Sequence, residues 1–433
     1  MVLSWTKGRV FRRAPKGKKL AGGDLEVEIL VPSHFRCPVS MDLMRDPVTL
    51  STGVTYDRDS IEKWFESGNQ TCPVTNLFLN SFEVIPNHAI RRMIQDWCVE
   101  HKNYGIERIP TPRIPVAPYQ VSETFEKIIA ATRAGDDNKC QELVGKIKTW
   151  GKESERNKRC IVENGAGAVL ADAFGSFSSN SIEKNAAVLA EILGVLPWIS
   201  PIGEEGKSKL GSEASLRCMV WFLNGTDLSA KQNAALLLKE MPVNALAKIE
   251  GVAEALAKMI SDPIGLSPTK ASLRTIFRLV SSSADKERIR QRFVELGLVP
   301  LLLEALVDAD RGVCEKALGV LDCLCDSLEA KKLAKANALT MPVIVKKILR
   351  VSELASEFAV SLLWKLCEKN DEGVLLEAVQ VGAFQKLLVL LQVGCGEGTK
   401  EKATELLKLL HGYKSKAECV DSSLDLKYLK KPY

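Results

Sequence analysis

Residues 31–97 read VPSHFRCPVSMDLMRDPVTLSTGVTYDRDSIEKWFESGNQTCPVTNLFLNSFEVIPNHAIRRMIQDW, and this stretch decides the N-terminal fold. Residues 47–50 and 54–56 are short β-prone runs joined around Ser51-Thr52-Gly53, which predicts a hairpin. Asp57 is a good N-cap for a helix that buries Ile61, Trp64 and Phe65 and stops at Gly68. Asn87, following Pro86, caps a second helix with Ile90, Ile94, Trp97 and His101 on one face. Strands and helices in one short unit make it α+β. Two loops flank the first helix and carry one phrase twice, Cys37-Pro38-Val39-Ser40 and Cys72-Pro73-Val74-Thr75.

Those loops resemble the two zinc-binding turns of a RING finger, where each phrase would read Cys-Pro-x-Cys. Here Ser40 and Thr75 stand at the second cysteine. Two zinc sites need eight Cys or His ligands. Between His34 and His88 the chain offers only His34, Cys37, Cys72 and His88. The first and last loops of a RING cross-brace serve different metals, so Cys37 and Cys72 are not expected to converge on one ion. The reading is therefore no metal and no cofactor. Hydroxyl and carboxylate hydrogen bonds hold the loops instead, with Cys37, Ser40, Asp57, Cys72 and Thr75 as the stabilising residues.

That pattern resembles the U-box over residues 31–104: Phe35-x-Cys37-Pro38, Asp46-Pro47-Val48, Gly53-x-Thr55-Tyr56-Asp57-Arg58, Ile61-x-x-Trp64, Thr71-Cys72-Pro73 and Pro86-Asn87. Taken with its long helical C-terminal part, the chain resembles the plant U-box/armadillo ubiquitin ligases. The resemblance implies an E3 that docks a ubiquitin-charged E2 and activates its thioester, with no covalent ubiquitin intermediate of its own. By position, Val39, Met41 and Pro73 would face the E2, and Trp64 would lie at the edge of the same groove. Many such ligases place Arg or Lys three residues after the second-loop proline to steady ubiquitin. This chain has Asn76, an uncharged hydrogen-bonding side chain. The family also implies a setting in stress or defence signalling.

Four prolines, Pro110, Pro112, Pro115 and Pro118, end the first unit. Residues 107–121 read as a semi-rigid extended linker that cannot be helix. From 122 to 413 the pattern is helical and repetitive. A glycine or alanine precedes an apolar helix at Gly165, Gly251, Gly297, Ala338 and Gly382. An alanine opens the next helix at Ala186, Ala234, Ala271, Ala317, Ala359 and Ala403. These alanines lie 48, 37, 46, 42 and 44 residues apart, and a helical period in the forties points to armadillo or HEAT arrays. Short helices near 286–295 and 371–380 make three helices per unit, which favours armadillo. The expectation is an all-α right-handed solenoid of about six repeats, holding a protein substrate on its concave surface. Residues 202–213 read as a degenerate repeat with an exposed charged loop. Lys346, Lys347 and Arg350 read as a basic strip, and Glu304 and Asp308 as an acidic one, both on third helices.

Bulk properties exclude other classes. Hydrophobic residues make up 46% and charged residues 26%, as in a soluble globular protein. The apolar run 186–199 is interrupted by Glu191 and Pro197, so no membrane span is expected. Twelve cysteines without pattern or export signal indicate a reducing compartment, cytoplasm or nucleus. The net charge of +5 comes from residues 1–20, with seven basic side chains and no acid; the remainder holds 52 basic against 54 acidic residues. The body is not a nucleic-acid binder by charge. Residues 1–30 read as a basic flexible leader, open to weak association with anionic membrane, and residues 414–433 as a C-terminal tail. Two other functions stay open: an adaptor with an inactive U-box, and an enzyme using Cys37 or Cys72 as nucleophile.

Overall fold

A computed structural model describes residues 31–104, 106–109, 115–199, 202–368 and 371–413. The chain divides into two units, Met1–Ile114 and Pro115–Tyr433. The basic leader and the C-terminal tail lie outside the described residues.

In the first unit, β1 (Pro47–Thr49) pairs antiparallel with β2 (Thr55–Asp57), with Val48 opposite Tyr56. Gly53 turns the hairpin at φ +80°, a conformation that costs glycine nothing. A third strand, β3 (Ile85–Pro86), pairs on the other side of β1. The sequence reading missed it because two residues containing a proline carry no alternation to detect. Helix α1 (Arg58–Glu66) buries Ile61 completely, with Trp64 and Phe65 half-buried against the core. Asp57 precedes α1 but makes no side-chain cap hydrogen bond. Helix α2 (His88–Glu100) is capped by Asn87, whose side chain accepts from the Ile90 N–H at 3.0 Å. Its buried residues are Arg91, Ile94, Gln95 and Cys98, with Ile90 and Trp97 half-buried against the same core, so the inward face is broader than the expected Ile90–Ile94–Trp97–His101 line.

The expected linker is shorter than 107–121. Ile109 is buried in the first unit, where its carbonyl accepts from Gln95 Nε2 at 3.1 Å. Pro118 opens the next helix, because a proline at the first helical position gives up only an N–H that had no partner.

The second unit starts with two helices, α3 (Pro118–Ala134) and α4 (Asp137–Glu153), followed by six three-helix repeats. The first repeat is α5 (Glu155–Glu163), α6 (Ala166–Asn180) and α7 (Ala186–Leu193), extended by the short α8 (Leu196–Ile199). The second is α9 (Glu204–Leu210), α10 (Glu213–Asn224) and α11 (Leu228–Leu238). The third is α12 (Val243–Leu246), α13 (Val252–Ser261) and α14 (Leu266–Ser282). The fourth is α15 (Lys286–Glu295), α16 (Leu298–Asp308) and α17 (Arg311–Leu324). The fifth is α18 (Leu328–Ala336), α19 (Thr340–Lys347) and α20 (Glu353–Cys367); the sixth is α21 (Glu372–Gln380), α22 (Ala383–Val393) and α23 (Glu397–His411). Third helices stack in the order α4, α7, α11, α14, α17, α20, α23. Second helices stack in the order α6, α10, α13, α16, α19, and one continuous apolar core runs through the unit.

Gly297 joins the short first helix to the apolar second one at φ +73°, as do its counterparts at 165, 251 and 382. Ala186 opens α7 as expected, whereas the other five alanines lie a turn or more inside their third helices: Ala317 is the seventh residue of α17 and fully buried where α14, α17 and α20 stack. A larger side chain there would force the ladder apart. The charged stretch 204–210 is a helix and not a loop. It buries Leu210, and Gly206 comes against Ile202 and the backbone of Gly167, so the second repeat is complete. Its turn uses Gly211 in an ordinary helical conformation, with Ser212 capping α10, which is why the glycine phrase was hard to see. Lys346 and Lys347 fall on α19, and Glu304 and Asp308 on α16, which are second helices. Lys347 is buried, its Nζ 3.2 Å from Cys314 Sγ. Neither expected strip lies on the third-helix face. No single described helix is long and apolar enough to cross a membrane.

Candidate E2-docking loops

The two repeated phrases fold into the same turn. In the first loop the Cys37 N–H donates to the Asp42 carbonyl at 2.9 Å, and the Met41 N–H to the Cys37 carbonyl at 2.8 Å. In the second, the Cys72 N–H donates to the Leu77 carbonyl and the Asn76 N–H to the Cys72 carbonyl, both at 2.9 Å. A β-bridge closes each loop, Arg36 with Leu43 and Thr71 with Phe78. The fifth residue of each turn is left-handed, Met41 at φ +61° and Asn76 at +56°. Asparagine tolerates that conformation, whereas methionine pays roughly 1 kcal/mol for it.

Where a RING would have its second cysteines, hydroxyls close the turns. Ser40 Oγ accepts from the Asp42 N–H and Thr75 Oγ1 from the Leu77 N–H, each at 3.4 Å. Cys37 and Cys72 are fully buried. Cys72 Sγ lies 3.0 Å from the Tyr56 hydroxyl and accepts from Thr52 Oγ1 at 3.4 Å. The same Tyr56 hydroxyl accepts from the Val74 N–H at 3.2 Å, tying the hairpin to the second loop. Burial pushes the Cys72 thiol up, but hydrogen bonds from Thr52, Thr75 and Tyr56 outweigh it and bring the group down to about 6. Burial, and then the bond to Cys72, raise the Tyr56 phenol above its ordinary value.

Carboxylates fix the remaining geometry. Asp57 Oδ1 accepts from the backbone N–H groups of Arg45 and Asp46, both at 2.8 Å, so the carboxylate anchors the chain leaving the first loop. Burial raises the Asp57 carboxyl above its usual range despite those two bonds. Asp46 receives Arg58 Nε at 2.7 Å on one oxygen and Arg91 on the other, joining loop, α1 and α2. Trp64 is half-buried, and its indole N–H donates to the Thr71 carbonyl at 2.8 Å, immediately before the second loop. Sequence reasoning missed Tyr56, Asp46 and Arg91 as loop-positioning residues. The conspicuous pairing of an acid with two distant arginines was available only as composition.

Exposed on this frame are Val39 at 38% and Met41 at 50% of full accessibility. Pro73 is half-buried, and Ser40, Thr75 and Asn76 are exposed. The second loop adds Val74, Leu77 and Phe78, the last at 66%, all overlooked in the sequence. Phe82 and Ile85 are exposed nearby in sequence, with Phe82 in edge contact with Phe65 at 5.1 Å. Two loops of matching geometry, held from below by hydrogen bonds and each presenting apolar side chains, are suited to docking another protein surface.

A RING-like pair of loops closed by hydroxyls, followed by an armadillo-like array, defines a U-box protein. The U-box domain model matches residues 31–103, and the model of the plant U-box protein ARM repeat region matches residues 120–430. U-box domain-containing protein 21 of Arabidopsis thaliana is 50% identical over 415 residues, covering 94% of each chain. E3 ubiquitin-protein ligase PUB23 of Arabidopsis thaliana is 33% identical over 425 residues, covering 94% of this chain and all of its own length. The chain belongs to the plant U-box protein family, and it is a RING-type E3 ubiquitin transferase.

Proposed function

We propose that Val39 and Met41 on the first loop, with Pro73 and Asn76 on the second and Trp64 beside them, dock a ubiquitin-charged E2. The observation that carries this reading is the exposure of large apolar side chains on two loops that are each closed by the same pair of backbone hydrogen bonds and a β-bridge. Such loops present a surface without melting when bound, which keeps the ordering cost of association low. The reaction is transfer of ubiquitin from the E2 cysteine to a substrate lysine, and the U-box contributes position and not a nucleophile. Both candidate thiols are wholly buried, so Cys72, although its thiolate is favoured, has no access to an E2 thioester. The third-helix ladder of the solenoid holds the substrate; the setting in cytoplasm or nucleus rests on cysteine usage, and the role in stress or defence signalling on family resemblance.

A titration of the full chain with a matched E2, followed by amide resonance shifts, tests the docking assignment. Shifts are expected at Val39, Met41, Val74 and Asn76. Shifts confined to α2 would place the E2 elsewhere.

A further inference from the structure

The third-helix ladder is not uniform in charge. Helix α14 carries Lys270, Arg274 and Arg278 and no acid, whereas α17, α20 and α23 each carry at least two acidic residues. The three cations are spaced four apart, which puts them on one face. Lys270 is occupied by Asp310 at 2.6 Å. Arg278 donates to the Lys239 carbonyl at 2.5 Å and is half-buried. Arg274 is exposed and has no hydrogen bond or ion pair among the described residues. Burial lowers the Arg278 guanidinium, Glu240 opposes that, and repulsion from Arg274 adds to it. Two like charges one turn apart, one of them unpaired, are a place where an anion would be stabilised.

Beside them is an apolar floor. Phe277 of α14 and Phe358 of α20 meet edge-on at 5.8 Å across the intervening α17. They reach each other because α17 has Gly319 there. A Cβ at that position would lie 3.0 Å from the Phe358 ring and 3.2 Å from the Phe277 ring. Three adjacent helices thus join a guanidinium pair to a two-ring surface.

We propose that this part of the third-helix face receives an extended acidic segment of the protein substrate, with carboxylates at Arg274 and Arg278 and an apolar side chain against Phe277 and Phe358. The inference rests on the ladder being the substrate surface and adds the chemical class of what binds there.

The test uses the full chain and a fluorescent alternating Glu-Leu octapeptide, read by anisotropy, beside Lys-Leu and Glu-Ser octapeptides. The Glu-Leu peptide is expected to bind best, and rising salt to weaken it. Arg274→Glu should weaken it about tenfold or more, Arg274→Lys much less, and Arg288→Glu, on exposed α15 surface, not at all. Arg274 is exposed, so its variants should melt with the parent. Phe358→Ala should bring Glu-Leu binding down to that of Glu-Ser. No Glu-Leu binding, equal binding by Arg274→Glu, or equal binding of Lys-Leu would overturn the proposal. Peptide binding itself separates the two readings, with autoubiquitination on the same samples showing that the chain is intact. Equal binding of all three peptides defeats only the acidic-segment inference, whereas binding of none defeats the ladder as the substrate surface.

Discussion

Val39→Arg is expected to abolish E2-dependent autoubiquitination while leaving the melting curve of the chain nearly unchanged. Val39 is already 38% exposed and its side chain holds nothing in the loop, whose closing bonds are all backbone or hydroxyl. Truncating one anchor of a small interface typically costs about 2 kcal/mol, roughly a thirtyfold loss of affinity. A buried unpaired charge costs more. Met41→Gly offers an independent check. It removes a 50% exposed side chain from a left-handed position, so it should reduce transfer while holding or raising stability by about 1 kcal/mol. Full activity in both variants would mean that the first loop does not dock the E2.

Asp46→Ala should have the largest effect on folding. Its carboxylate is shared between Arg58 and Arg91, whose side chains are only 13% and 8% exposed. Removing it takes the shared carboxylate from two guanidiniums almost out of water, leaving Arg58 only the more distant Glu62 at 3.8 Å. Breaking a buried pair by deleting one partner costs about 3–5 kcal/mol, and a domain this small has roughly 5 kcal/mol in total. Calorimetry of the full chain should then lose the transition of the first unit and keep that of the solenoid. Replacing Asp46, Arg58 and Arg91 together by Leu, Met and Met should restore much of it, because an apolar cluster carries no desolvation cost. An unchanged first transition in Asp46→Ala would show that the cluster is not what holds loop, α1 and α2 together.

The order of the two units and the repeat architecture were legible because they rest on periodic signals. Leucines at helical spacing and small residues recurring every forty-odd positions survive without any knowledge of contacts. The capping role assigned to Asp57 failed for a local reason. An aspartate before a helix has two possible sets of donors, and here the N–H groups of Arg45 and Asp46, brought close by the hairpin, take the carboxylate first. The short second-repeat helix at 204–210 was hidden because its burial depends on Leu210 and two glycines and not on an apolar stripe. At the loops, the phrase Cys-Pro-Val-Ser/Thr announced two equivalent turns. It did not announce Phe78 or Leu77, since exposure of an apolar residue is settled by where the turn points and not by its neighbours in sequence. The Phe277–Gly319–Phe358 surface joins residues from three repeats and has no sequence signature at all.

The central claim is that this U-box activates a docked E2 without taking ubiquitin onto itself. Single-turnover discharge of ubiquitin from a charged E2 to lysine, run on non-reducing gels, addresses it most directly. The full chain should accelerate discharge, Cys37→Ser and Cys72→Ser should retain substantial acceleration, and no reductant-sensitive ubiquitin adduct of the chain should form at any time. A reductant-sensitive adduct that disappears in one of those cysteine variants, together with its activity, would contradict the account.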